Sequence, residues 1–365
     1  MAFRSILDII TGLGLSTGLT ICGDFGDGSS YPGSGDTVSD RSGNGNDLKR
    51  GTTAGVDSAD PTFNGSAGGL SSSEYASFDG GDTLTIVGSN PLQSFHKDNA
   101  KITILAAVYP GSTANNIIIG DNVFSTQIGF RFQITNAQRL AWAAGNGSTQ
   151  SNIFIGTVST IANTAWSIVG MSLDEAVGAN GAFYFANGVV ELFNSTFTSP
   201  SASNAAGVLC ISGSEGATTA GRLANGSRIA WIAVWVGVAL TQAQMRAIYY
   251  EAGMRMGIVA ELTAALDGQG ALAAAITGQA TLSATLSGEG TLTCELEGGE
   301  EEETGPLIGP VLLSGAALSS LPLSSVGYLP PEPSADPTPF ELAIAAAEVN
   351  LITLVKLDLT SPGSS

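Results

Sequence analysis

The sequence predicts an all-β chain built around an antiparallel sandwich or jelly roll. Only 12% of residues are charged while 48 are glycine, which is too apolar for a disordered chain and too rich in turns for a helical one. Short apolar alternations, divided by Gly, Ser and Asn, then recur over the first two-thirds of the chain. A strictly alternating decapeptide repeat follows them.

The elements can be read in order. The start, MAFRSILDIITGLGL, has one Arg and an apolar run broken by Asp8, with no small-x-small cleavage site after it. It reads as a short amphipathic helix or arm over residues 1–16 rather than an export signal. Residues 17–258 carry LTICGDF, ASFDGGDTLTIVG, KITILAAVYP, GFRFQIT, WSIVGMSL, GAFYFANGVVELF, GVLCISG and RIAWIAVWVGVAL. FYFANGVVEL is the clearest hairpin, because Asn187-Gly188 suits a two-residue primed turn. TQAQMRAIYYEAG closes the block as one short helix, with Thr241 as N-cap and Gly253 as the residue that ends it.

Bulk charge narrows the partners. A net charge of −19 argues against nucleic acid and against an anionic membrane surface, both of which need Lys and Arg. No window reaches the roughly 18 apolar residues of a membrane span. Cys22, Cys210 and Cys294 are odd in number and far apart, so they do not form a disulfide framework.

TGLTICGDFGDG followed by TVSDRSGNGNDLKRG resembles the opening of laminin-G-like, concanavalin A-like jelly rolls. ASFDGGDTLTI, KITILAAVYP, NTAWSIVGMSLD, FYFANGVV and GSRIAWIAVWVGVALTQAQMRAIY resemble that family's later strands and closing helix, in the same order. The resemblance implies a jelly-roll domain over 17–258 and a structural calcium at the sandwich rim as its one cofactor candidate. Asp24 and Asp27 of DFGDG and Asp79 and Asp82 of DGGD are its candidate ligands, with SDRSGNGND a third acidic turn. Asp, Asn and Gly are also what tight turns use, so the turn reading stands beside the calcium one. Chains that open this way also resemble virion proteins of tailed bacteriophages. That implies assembly in the host cytoplasm, location in the virion, and other virion structural proteins as partners.

Catalysis finds little footing. A glycosidase needs two carboxylates across the sugar, and the nearest match to a glucanase signature, ELEGGE (Glu295–Glu300), lies in the repeat. His96, the chain's one histidine, reads as a solvated loop residue in FHKDNAK rather than a triad imidazole. Glycan binding needs an exposed aromatic beside amides and carboxylates. Trp142, in RLAWAAGNGSTQSN with Asn146 and Gln150, is the preferred candidate, followed by Tyr31 and Tyr109. Trp166, Trp231 and Trp235 lie in apolar strands and read as core.

Residues 259–300 contain LTAALDGQGA, LAAAITGQAT, LSATLSGEGT and LTCELEG. Ten is even, so every even-numbered residue from Leu262 to Gly298 is Leu, Ile, Ala, Cys or Gly. A strand keeps that apolar face, whereas on a helix it would wander. The face needs partners, either the chain's own successive turns or identical copies. A homotrimeric stalk is preferred, with Leu262, Leu266, Leu272, Ile276, Leu282, Leu286, Leu292 and Leu296 as its core. An acidic and Pro-rich linker (301–340) then leads to a helix-strand anchor (341–365), in which Leu351, Val355, Leu357 and Leu359 share one strand face. The expectation is a non-enzymatic adhesive virion protein of the tail-fibre or tail-tip type, whose jelly-roll head binds host surface glycans. A capsid decoration or head fibre without a glycan ligand, and a polysaccharide depolymerase, are the alternatives.

Overall fold

The computed structural model describes residues 3–51, 57–121, 128–147, 150–157, 160–213, 222–267, 273–275, 280–287, 291–298, 311–313 and 353–360. The chain divides into two compact units, Met1–Ile258 and Val259–Ser365.

The first unit opens with α1 (Ile6–Gly12) and β1 (Leu19–Asp24), β2 (Thr37–Val38), β3 (Leu48–Arg50), β4 (Thr62–Asn64), β5 (Tyr75–Phe78) and β6 (Leu84–Ile86). It continues through β7 (Lys101–Tyr109), β8 (Asn116–Gly120), β9 (Gly129–Ile134), β10 (Leu140–Gly145), β11 (Gln150–Ile155) and β12 (Ser167–Asp174). β13 (Ala182–Ala186), β14 (Val189–Phe193), β15 (Cys210–Ile211), β16 (Ser227–Val236) and α2 (Gln242–Met256) complete it. Two antiparallel sheets result. The first runs β14-β13-β12-β7-β16-β5-β4, with β1 also on β16, and the second runs β11-β10-β9-β8-β15-β6-β3-β2. The chain crosses repeatedly between them, giving the all-β sandwich that the alternations predict.

The core fills the space between the sheets. Ile102, Ile104, Ala106 and Val108 of β7 face Phe130, Phe132, Leu140 and Trp142 of the second sheet in one apolar cluster. Trp142 is 0% exposed and stacks on Phe130 at 4.8 Å. It therefore cannot meet a ligand. In LAWAAG the large residues Leu140 and Trp142 point inward, and the outward places go to Ala141 and Ala143. Tyr31 is likewise core at 0%. Its ring packs on Phe25 and Phe63, while its hydroxyl donates to Gly35 O and accepts from Arg50.

The first sheet's outer face is covered over much of its area by the two helices. Trp231 and Trp235 of β16 are fully buried there, Trp235 Nε1 donates to Leu15 O at 2.8 Å, and Phe185 meets Tyr249 of α2 edge to face. Thr241 caps α2 through a reciprocal box with Gln244. The helix runs past Gly253 and ends at Gly257, whose φ of 69° suits the left-handed cap. The longer helix is explained by its last turn: Arg255 and Met256 are buried, and Arg255 reaches Asp24.

The turn at Asn187 and Gly188, with φ of 48° and 89°, joins β13 to β14 as the sequence indicates. His96 departs from its expected setting. It is 1% exposed, with Nε2 donating to Ser203 O at 2.9 Å and Nδ1 unpartnered. Burial is the chief reason its pKa falls below the ordinary value, and Lys97 adds to the fall.

In the second unit the repeat takes strand form wherever it is described: β17 (Ala260–Asp267), β18 (Ala273–Ala275), β19 (Ala280–Ser287) and β20 (Thr291–Gly298). β17 pairs in parallel with β19, placing Leu262 opposite Leu282 and Leu266 opposite Leu286, two periods apart. β21 (Val311–Leu313) and β22 (Thr353–Thr360) join β18 and β20 in the order β18-β22-β20-β21. Leu292 lies opposite Leu359, Cys294 opposite Leu357 and Leu296 opposite Val355. Leu272, Ile276 and Leu351 lie outside the described residues. Among the described residues no helix is long and apolar enough to cross a membrane.

Candidate binding site

The first sheet's outer face has an end that lies beyond Trp231 and Trp235, and it is built by four strands meeting around one arginine. Arg228 lies opposite Tyr109 of β7 and opposite Ser77 of β5. Residues paired across a sheet share a face, so Tyr75, two positions from Ser77, points the same way. Their neighbours Ala76, Phe78, Val108 and Ile229 point into the core. Trp166 precedes Ser167, which pairs with Val108, and so joins Tyr109 on the outer side.

A β-bulge at Ala230 makes this arrangement. Ile229 pairs with Val108 and Trp231 with Ala107, leaving Ala230 over. Without that extra residue, Arg228 would keep the parity of Ile232 and Val234 and point into the core. The bulged residue's carbonyl accepts Phe25 N at 3.0 Å.

The loops are fixed as tightly as the strands. Gly111 N donates to Ser227 Oγ at 2.9 Å. A Cβ on Gly111 would lie 2.3 Å from Asn225 O, so only glycine lets the two loops close. Beneath them, Asn116 donates to Ser112 O and Ala114 O and accepts Ala224 N. Thr164 N donates to Pro110 O at 2.9 Å, bringing the strand that carries Trp166 alongside.

The guanidinium of Arg228 lies over the Tyr109 ring at 4.3 Å and the Tyr75 ring at 4.7 Å. Trp166 meets both tyrosines edge to face, at 5.7 and 5.8 Å. All four side chains are partly exposed. Asn64 lies opposite Tyr75, and its Nδ2 donates to Ser77 Oγ at 3.1 Å. Rings, a cation, a carboxamide and a hydroxyl therefore share one surface of rigid strands. That combination can take an apolar ring face and a polar group together.

Of the candidates named from sequence, Tyr109 alone belongs to this cluster. Trp142 and Tyr31 are core residues. Asn146 donates to Ser199 O at 3.3 Å, and Gln150 lies in β11, with its side chain outside the described residues. Trp166, read from sequence as core, is partly exposed. Tyr75 and Arg228 were missed, because the bulge that turns Arg228 outward has no sequence signature.

The acidic candidates are held by the fold's own donors. Asp24 is fully buried and is removed from the calcium set: Arg255 Nη1 and Nη2 donate to its two oxygens at 2.7 Å each. Ile6 N and Gly26 N donate to the same carboxylate. Asp27 accepts Arg41 Nε at 3.2 Å and Ser29 N at 2.8 Å. Asp79 and Asp82 hold their own turn, through Gly81 N to Asp79 and Asp79 N to Asp82. Burial pushes the pKa of Asp82 up to about 6, opposed by the hydrogen bond from Asp79 N and reinforced by the carboxylates of Asp79 and Asp60. In SDRSGNGND, Asp40 accepts the backbone N–H groups of Cys22, Ser42 and Asn46. Among the described residues no group of three or more His, Cys, Asp and Glu side chains could hold a metal ion.

No protein-family model and no curated protein matches the chain. Several solved structures are similar in shape. Domain 4 of AbnA, an extracellular GH43 arabinanase from Geobacillus stearothermophilus, in complex with arabinotriose, is 17% identical; the match covers 63% of this chain and 98% of that one, with a TM-score of 0.43. The binding domain of botulinum neurotoxin DC in complex with SialylT is 9% identical, over 65% of this chain and 52% of that one, at 0.41. Trypanosoma rangeli sialidase in complex with sialic acid is 10% identical, over 66% of this chain and 34% of that one, at 0.40. The chain thus spans about half of the toxin domain and about a third of the sialidase.

Proposed function

We propose that this chain is a non-enzymatic adhesive protein of a tailed-bacteriophage particle, and that its sandwich binds saccharides through Tyr75, Tyr109, Trp166 and Arg228. The observation that carries the binding reading is that cluster, in which partly exposed rings and a cation are held on rigid strands beside Asn64 and Ser77. A sugar ring offers an apolar C–H face and a rim of hydroxyls, which suits an aromatic surface flanked by amides and hydroxyls. The particle setting is supported by the sequence resemblance and by the alternating repeat, whose apolar face calls for stacked partners. Trimerisation through that repeat is part of the reading.

Glycan-array binding by the wild-type chain, lost in Trp166→Ala and Tyr109→Ala variants that keep the wild-type circular dichroism, is the expected result. Binding that both variants retain would place the ligand elsewhere, and no binding to any host-envelope glycan would contradict the adhesive role. Release of reducing ends from a capsular polysaccharide would overturn the non-enzymatic reading. A monomer mass at micromolar concentration would overturn the trimer.

A further inference from the structure

We infer that the saccharide taken at this surface is anionic and that Arg228 receives its carboxylate. The inference rests on the saccharide-binding reading above and adds the ligand's chemical class. Among the described residues the Arg228 side chain makes no hydrogen bond and no ion pair; it lies against two tyrosine rings, at 4.3 and 4.7 Å. A guanidinium held over two rings by cation–π attraction keeps N–H donors that no acceptor among the described residues takes up. A fork held between two rings has lost rotamer freedom before any ligand arrives, so less entropy is lost on forming a bidentate pair. The complementary group is a planar carboxylate, the shape a guanidinium fork matches best.

The charge setting adds to this. The chain carries 32 acidic and 13 basic residues, and Arg255 and Arg41 elsewhere in the sandwich are ion-paired with Asp24 and Asp27. Arg228 has no acidic partner of this kind. Asn64 and Ser77 share its face, and with their donors given to Thr62 O and Ser77 Oγ they offer acceptor oxygens to hydroxyl donors, which favours an acidic sugar over an acidic peptide.

Two common acidic sugars carry such a carboxylate, a uronate at its exocyclic carbon six and a 2-keto acid sugar on its anomeric carbon. The test covers both. Calorimetric titration of the full chain would compare a galacturonate hexamer with its carboxyl-reduced form, and sialyllactose with its carboxyl-reduced form. Carboxyl reduction should weaken binding about ten- to a hundredfold in at least one pair, the range of a charge-assisted hydrogen-bonded pair. Whichever pair responds identifies the source. Arg228→Gln should produce the same loss on the acidic ligand and no further loss on its neutral counterpart. Arg228→Lys, which keeps charge but not the fork, should recover only part of it. Equal binding of acidic and neutral forms, indifferent to Arg228, would overturn the anionic assignment and leave the saccharide reading standing. Binding of neither form would overturn both. Hexaglutamate bound as tightly as the uronate would overturn the sugar assignment.

Discussion

Arg255 and Arg228 both serve the outer side of the first sheet, in opposite circumstances. Arg255, in the last turn of α2, is 3% exposed and locked to Asp24 by two hydrogen bonds of 2.7 Å. Arg228 lies on the same sheet, three residues before the fully buried Trp231, and is stacked between tyrosines with its donors open. The first joins the β1 end and the helices α1 and α2 and, being buried, is out of a ligand's reach. The second has been positioned by a bulge and two closed loops but not used internally. Arg228, whose side chain has no hydrogen-bonding or ionic partner among the described residues, is the cation that the proposed ligand's carboxylate would meet.

The sharpest way to break this contrast is to truncate each arginine. Arg255→Ala strands a buried carboxylate and should cost about 3–5 kcal/mol of unfolding free energy in urea, whereas Asp24→Leu combined with Arg255→Met should recover only part of it, because Ile6 N and Gly26 N lose their acceptor. Arg228→Gln should change stability by no more than about 1 kcal/mol. Equal losses would mean that Arg228 is structural too.

The tryptophans offer the same contrast. Trp142→Ala opens a cavity between the sheets and should cost about 3–5 kcal/mol. Trp166→Ala, at a partly exposed site, should cost about 1–2 kcal/mol. A Trp142 variant that unfolds like the wild type would contradict its place in the core.

A smaller, pH-dependent effect is expected at His96. Its folded pKa is lowered from 6.5, chiefly by burial, so below that value the unfolded chain binds a proton more readily than the folded one. Stability should therefore be present above about pH 6.5 and decline as pH falls through the folded pKa, with a slope of at most about 1.4 kcal/mol per pH unit. Asp82 acts in reverse. With its pKa pushed up from 3.8 to about 6, the folded state holds the extra proton, and stability rises as pH falls from about 6 towards 3.8. His96→Gln should remove the first effect and expose the second. A variant with the wild-type pH profile would show that His96 takes its proton as easily folded as unfolded.

The fold was largely legible from sequence, because alternation, turn chemistry and capping are local signals. The Asn187-Gly188 hairpin, the Thr241 cap and the strand form of the described repeat segments follow directly from residue order. What could not be read there depends on pairing. Trp142 sits beside a polar run yet faces inward, because its strand gives the outward places to alanine. Trp166 sits in an apolar run yet faces outward, since its register beside Tyr109 places it there. Gly253 has the chemistry to end a helix, but the buried Arg255–Asp24 pair carries α2 on to Gly257. Arg228 was the least legible of all, because one bulged residue reverses the parity of its strand.

The direct test of the binding surface uses tryptophan fluorescence. Of the chain's four tryptophans, Trp142, Trp231 and Trp235 are 0% exposed and Trp166 is partly exposed. Acrylamide should therefore quench one accessible class, and a saturating acidic oligosaccharide should shield it. In Trp166→Phe that accessible class, and with it the shielding, should be absent. Quenching that the ligand leaves unchanged, or shielding that survives in Trp166→Phe, would contradict the assignment of this surface.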